Sequence, residues 1–597
     1  MGERPIVSRP QDWARRVTSA QRSASRGVSG PWVPGTVRVP VPTTSDQAIV
    51  HVNTLEVSRM SHYSGDDDSH LVRFGYKPRL QRSLGVWHAF SVSYGWVAIL
   101  TGISALFYLG YGNGGPAFFW VYPIVGLITA LIALCMAEMA GQVPVEGSMY
   151  QWSKHVSRAK SVPWMGGWFL AAAMLVTVTV VGPTLQQVLT TVSSSFEFVG
   201  GTKDIGTSVT PHGAINAIIL GGVALIAMMI INIVGVRWMA RVASAVVTIE
   251  ICAVFATVIG LLIHITRGPG VVLKTNGLGA HANFGYLSAF LVASIAACYV
   301  FFGFENAAMV AEETKEARKN APKALLRALT VSLAMGIVLI LLALMATKNL
   351  NATQLSTVGF PYVIESLLGH TFGNLILIAI AIAVFGAGTA IMATGVRIIF
   401  AMARDGALPF SRSLAHVSPR FKTPVGPTIL VTVVGLGLLF LNYGNPQVFG
   451  TIASVAIVLY YVTYLFVVGP MLIARFRKRW PLESHGEYFS LGRYGLVVNL
   501  IAVLGAVAII VNVAWPRPVI YGNAHWYLQY GALTVIGLLL ITGIPYYWFK
   551  QHRHTFGVVA EHRATEKDVA AVGLMSNSPS PSASVDLGVV AVSPDQA

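Results

Sequence analysis

Twelve stretches of this chain are apolar for about 20 residues each, and that recurrence sets what it can fold into. At 1.5 Å of rise per residue, about 20 apolar residues carry a helix across the hydrocarbon of a bilayer. The stretches lie near 84–110, 117–137, 163–192, 213–234, 239–265, 284–311, 324–347, 373–402, 425–442, 447–474, 494–515 and 526–549. The ninth and tenth form one uncharged run, divided here at the turn cluster NYGNP, 442–446. Only 11% of the 597 residues are charged, against about 25% in a soluble chain. The expected fold is an all-α polytopic membrane protein with 12 transmembrane helices.

The ends differ in composition from the middle. Residues 1–80 are rich in Ser, Pro, Gly and Arg, with no apolar run long enough for a signal-peptide core, and read as a disordered cytoplasmic tail. Residues 81–554 form the transmembrane domain, and 555–597, rich in Ser, Pro and Ala, read as a second disordered cytoplasmic tail. With both termini inside, 36 of the 41 Lys and Arg residues fall on the cytoplasmic side and 5 outside. Cytoplasmic loops carry such an excess, so the net charge of +16 is a topology signal and nucleic acid need not be invoked. There is no P-loop, no H-E-x-x-H and no Cys/His cluster at metal spacing, which argues against an enzyme, a metal or a cofactor. Cys135, Cys252 and Cys298 all lie in apolar runs and read as packed thiols. A secondary transporter, a channel or a membrane receptor remains.

Two stretches break the apolar monotony at mid-membrane. The first span holds FSVSYGW at 90–96, and the sixth holds YVFFGFE at 299–305, where a glycine among aromatics is followed by a carboxylate. An ionisable group at that depth is costly and marks a functional site by default. Gly95 and Gly303 stand 208 residues apart, each in the first span of a five-helix block, and an odd number of spans inverts the second block. Glycine-interrupted spans at matching places in two inverted halves point to a transporter binding site. A broken helix frees N–H groups on one side and C=O groups on the other. Those ends suit a carboxylate and an ammonium respectively. The other reading of either glycine is close helix packing.

Three motifs then bring a family into view. GGP at 114–116 is followed by AEMA at 137–140 and PVEGSMYQW at 144–152; FFGFE at 301–305 by EET at 312–314 and NAP at 320–322; the third is RIIFAMARDGALP at 397–409. In this order and topology they resemble the amino acid–polyamine–organocation (APC) superfamily of permeases, most closely its amino acid/choline branch. The resemblance runs from about Leu84 to Trp548. It implies two inverted five-helix repeats with broken first and sixth helices (a LeuT-like fold) plus two extra helices. It also implies uptake or exchange of an amino acid or related amine. Carried over residue by residue, Ser91, Val92, Ser93, Tyr94 and Gly95 would face the substrate carboxylate. Tyr299, Phe301 and Phe302 would supply lid and walls. Gly303 marks the break, Phe304 follows it, and Glu305 braces it by accepting hydrogen bonds. The first span departs from the glycine-rich pattern of many relatives. Its Tyr94 and Trp96 make the site more aromatic, which suits a cation–π contact worth about 0.5–2 kcal/mol.

Coupling is read from two further places. Thr389 and Thr394 are five apart, too far for neighbours on one helix ladder, which disfavours a sodium site. Some proton-coupled relatives carry a lysine in the fifth span where this chain has Glu250, so Glu250 is the coupling-ion candidate, for H+. Exchange without an ion is the rival. Expected partners are the small-molecule substrate, the lipid bilayer and H+, and the expected location is the plasma membrane. A transport-inactive receptor for the same ligand class is the alternative function.

Overall fold

The computed structural model describes residues 84–552, apart from 279–283, 442, 444–447, 483–487 and 522–525. The two expected tails and most of the turn cluster at 442–446 lie outside the described residues. Among those described, ten stretches are helical, long and apolar enough to cross a membrane. The first, Val86–Gln142, is 57 residues long. It comprises α1 (Val86–Val97), α2 (Ile99–Gly114) and, beyond Gly115 and Pro116, α3 (Val121–Gln142). A short α4 (Ser148–Val156) follows a buried loop, then α5 (Ser161–Thr177) with α6 (Val181–Val192), α7 (Pro211–Val234) and α8 (Val236–Ile263). The second half runs through α9 (Tyr286–Val300), a 3-10 segment (Phe304–Glu313), α10 (Ala317–Ala346) and α11 (Phe360–Arg404). It continues with α12 (Val425–Phe440), α13 (Val448–Phe476), α14 (Gly495–Ala514) and α15 (Gly531–Tyr546).

α7 shows why such sequences make membrane helices. Thr210 caps it by accepting from Gly213 N–H at 3.1 Å, Pro211 opens its first turn, and Gly235, at φ 142°, ends it. Gly221, Ala224, Leu225 and Met228 are buried, while Ile219, Val223, Ile226 and Ile230 form an exposed stripe at helical spacing. A helix apolar on its outer face as well as its inner one is solvated by lipid rather than water. The same partition explains a correction. Cys135 and Cys298 are buried, but Cys252 is exposed, because it lies about 200° round α8 from the buried Glu250.

The two interrupted spans run side by side. α2 packs on α9, and α1 packs on the 304–313 segment, so both interruptions lie at the same level. α3 packs on α10, α11 lies against α5, α6 and α8, and α7 lies against α12. The chain entering α1 is clipped to the end of the sixth stretch: Leu84 N–H donates to Glu313 O at 2.9 Å, and Lys315 N–H donates to Leu84 O at 3.0 Å.

Glu138, near the end of α3, is wholly buried and anchors the chain between α13 and α14. It accepts from Arg475 Nη2, from Trp480 Nε1 at 2.9 Å and from Leu491 N–H at 3.0 Å. Glu138→Ala would strand the Arg475 guanidinium, at a cost of about 3–5 kcal/mol. It is expected to lower the melting temperature of the purified protein clearly, while Glu138→Gln, which keeps acceptor capacity, is expected to lower it less. Equal melting of wild type and Glu138→Ala would remove this anchoring role.

Candidate functional site

The first span does not break at a glycine. α1 runs through Gly95 to Val97, and the turn falls on Ala98, at φ 36° and ψ 77°. Ala98 is buried; its N–H donates to Tyr94 O at 2.8 Å and its carbonyl accepts from Gly102 N–H at 2.9 Å. The left-handed turn restarts the helix, so Ile99, Leu100 and Thr101 begin α2 with the N–H groups that every helix start leaves without an intrahelical acceptor. Gly95 serves another purpose: a Cβ there would sit 2.8 Å from Val247 Cγ2, so the glycine lets α1 and α8 touch.

The sixth span does break at its glycine. α9 ends at Val300, Gly303 sits at φ 86°, and a 3-10 segment begins at Phe304. The freed backbone is held by side chains from three other helices. Gly303 N–H donates to Tyr464 Oη at 2.8 Å, and that hydroxyl donates to Glu305 Oε2 at 2.9 Å. Asn306 Nδ2 donates to Gly303 O at 2.6 Å, and Thr394 of α11 donates to Asn306 Oδ1 at 2.8 Å. Ser93 of α1 donates to the carbonyl of Phe304. Glu305 thus reaches the freed Gly303 N–H through the Tyr464 hydroxyl.

An aromatic cluster fills the space beside it. The Trp96 indole lies over Gly303 and meets Phe302 and Tyr460 edge-on, each at 5.2 Å between centroids. Phe302 in turn contacts Tyr460 at 4.5 Å and Tyr299 at 5.4 Å. Ser93, Trp96, Tyr299, Phe302, Gly303, Phe304 and Glu305 thus come together. Phe301 turns away, edge-on to Tyr122 of α3 at 5.9 Å. Ser91 and Val92 lie a turn below, lining a cavity of about 10 Å³ with His88, Glu313 and Arg397, room for one water-sized sphere. Tyr94 packs on Val247 and Ala328, away from the cluster and on the side of Glu250.

Glu250 occupies the opposite flank of the first break. It is fully buried, and neither carboxyl oxygen completes a hydrogen bond among the described residues. The Leu100 amide, one of the orphan donors of α2, faces it at longer range. Thr389 hydrogen-bonds Phe385 O in its own helix, while Thr394 is taken up by Asn306.

Below the breaks, the loop after α3 enters an acid–base cluster. Glu146 N–H donates to Glu312 Oε1 at 3.0 Å. Arg397 Nε stands 3.4 Å from Glu146 and its Nη2 3.2 Å from Glu313. Arg404 reaches Glu312 at 3.9 Å, and Lys154 pairs with Asp405. Burial, and then the neighbouring Glu312 carboxylate, raise the Glu146 carboxyl above the ordinary carboxylate range, against the pull of Arg397 and Arg404.

Sequence reasoning missed Tyr460 and Tyr464. The signal was present as YYVTY at 460–464, tyrosines four apart in an apolar run, but nothing in it says which face meets the sixth span.

The family model for amino acid permeases matches residues 84–540. Among curated proteins, the chain is 27% identical over 519 residues to the amino-acid permease BAT1 homolog of Oryza sativa subsp. japonica, covering 82% of this chain and 95% of that one. It is 27% identical over 510 residues to the amino-acid permease BAT1 of Arabidopsis thaliana, covering 81% and 95%. A methylthioribose transporter of Bacillus subtilis is 27% identical over 377 residues, covering 61% and 77%.

Proposed function

The chain belongs to the amino acid permease family of the APC superfamily, and on that premise we propose that it carries an amino acid or related amine across the plasma membrane by alternating access. The observation that carries the mechanism is the pairing of two helix interruptions at one level, Ala98 in one span and Gly303 in its neighbour. Orphan N–H groups at the start of α2 suit a carboxylate. The Trp96–Phe302–Tyr460 cluster suits an ammonium. The indole covers Gly303, so a substrate that reaches that backbone displaces Trp96 first. Ser91, Val92, Tyr94, Gly95 and Phe301 lie one layer out and support the contact residues.

The topology we propose has twelve spans. The 57-residue stretch divides at Gly115–Pro116, and Val425–Phe440 serves as a short ninth span. Contacts between α2 and α9, α3 and α10, and α7 and α12 pair helices at corresponding places in the two halves, which supports an inverted repeat. The two tails belong on the cytoplasmic side with the basic loops. Coupling by H+ at Glu250, or exchange without an ion, fits the burial of that carboxyl better than sodium fits the occupied threonines.

Proteoliposomes test the reading. Full-length protein loaded with unlabelled amino acids is expected to take up a labelled amino acid by counterflow, and a competition panel then ranks substrates. Ligand-dependent thermal stabilisation without uptake, under both exchange and a proton gradient, would instead identify a receptor.

A further inference from the structure

A groove of about 980 Å³ opens on the lipid-facing side, between the first half of α9 and the last turns of α14. Leu287 and Leu291 form one wall, Ala508, Val511 and Trp515 the other, and the end of α2 its floor. These walls are apolar, and Leu287, Val511 and Trp515 are exposed. From Ala508 to Trp515 the groove follows α14 for about 10 Å. One end is different. Arg517 closes it, with Nη2 donating to Asn512 Oδ1 at 2.7 Å. Asn512 is itself fixed, its Nδ2 donating to Leu291 O at 3.0 Å and Ser294 Oγ at 2.9 Å. The guanidinium is therefore held in place by one nitrogen, while Nη1 is buried with no acceptor among the described residues.

Among the described residues, no carboxylate pairs with that cation. The lining stretches 112–113, 284–292 and 508–518 contain no Asp or Glu. A guanidinium positioned by a fixed amide, lining the groove with no carboxylate paired to it, is matched to a phosphate or carboxylate. The groove that leads away from it is matched to a hydrocarbon chain. Trp515 beside Arg517 is the residue type that settles at headgroup level. We propose that this groove is a binding site for one glycerophospholipid, its phosphate on Arg517 and an acyl chain between α9 and α14. The site is separate from the transport pathway and does not depend on the substrate assigned above.

Native mass spectrometry of the delipidated full-length protein tests this, with dioleoyl phosphatidylglycerol as the titrated probe. Wild type is expected to retain one lipid per chain. Arg517→Gln, which keeps the side chain polar, is expected to lower the bound fraction at least tenfold. Ala508→Trp, which fills the groove and leaves Arg517 in place, is expected to do the same. Melting temperatures near that of wild type certify both variants as folded. Dioleoylglycerol, which lacks the phosphate, and glycerol phosphate, which lacks the chains, are each expected to fail as competitors. The assignment is overturned if either variant retains lipid as wild type does, or if either fragment competes as well as the whole lipid. It is equally overturned if Ala508→Trp instead dissolves a dimer without changing lipid retention, which would make the groove a contact between two copies.

Discussion

Replacing Gly303 by alanine is expected to bring uptake below detection while leaving the protein inserted in the membrane. A Cβ at that position would lie 1.8 Å from Trp96 Cε3 and 2.0 Å from Cζ3, distances at which atoms overlap. The indole cannot simply step aside, because Phe302 and Tyr460 hold it on two edges at 5.2 Å. The backbone resists separately: at φ 86° an L-residue costs about 1–2 kcal/mol more than glycine. The two costs can be separated. Trp96→Ala added to Gly303→Ala removes the overlap and leaves the dihedral cost, so partial recovery of binding is expected. Gly303→Leu, with a longer side chain in the same place, is expected to be as inactive as the alanine variant. Gly268→Ala, with nothing within 4 Å of the added carbon, serves as the neutral control. The measurement is initial uptake per inserted protein in proteoliposomes, and normal transport by Gly303→Ala would remove the sixth-span break from the substrate pathway.

Glu250→Gln is expected to abolish gradient-driven accumulation and spare exchange. The carboxyl is fully buried, its oxygens complete no hydrogen bond among the described residues, and its neighbours include the Leu100 amide and Tyr94. No described Lys or Arg pairs with it, so its charge changes whenever its proton leaves, and that change is felt at the first break. The amide keeps shape and volume but carries no titratable proton. A one-unit pH gradient is worth about 1.4 kcal/mol, roughly tenfold in accumulation for one proton per substrate. The wild type is expected to approach that ratio, and Glu250→Gln to equilibrate without concentrating, with counterflow retained. Accumulation by the variant at the wild-type ratio would assign coupling to another group or to exchange alone.

The elements legible in the sequence were those set by solvent and by glycine. Apolar runs announce helices because lipid tolerates no unpaired backbone, and Gly303 was identifiable because few other residues accept its dihedral. The break at Ala98 was not legible. Alanine is the strongest helix former, so nothing local in the sequence marks the turn. Gly95 takes the second of its two readings, close helix packing, since it relieves contact with Val247. Ser93 was named for a carboxylate, and its hydroxyl is spent on the Phe304 carbonyl. The partners of Arg397, Glu146 and Glu313, are 251 and 84 residues away in the chain. No local pattern signals pairings of that range.

The clip at Leu84 has a mechanical consequence. Its two hydrogen bonds join the entry to α1 to the far end of the 304–313 segment, while Ser93 joins the same two pieces nearer the middle. A pair of rods pinned at two points cannot pivot independently. In the alternating-access cycle proposed above, opening the face on the Leu84 side would swing both half-helices as one lever, or else unpin them in order, with the lower pin as the latch that times release.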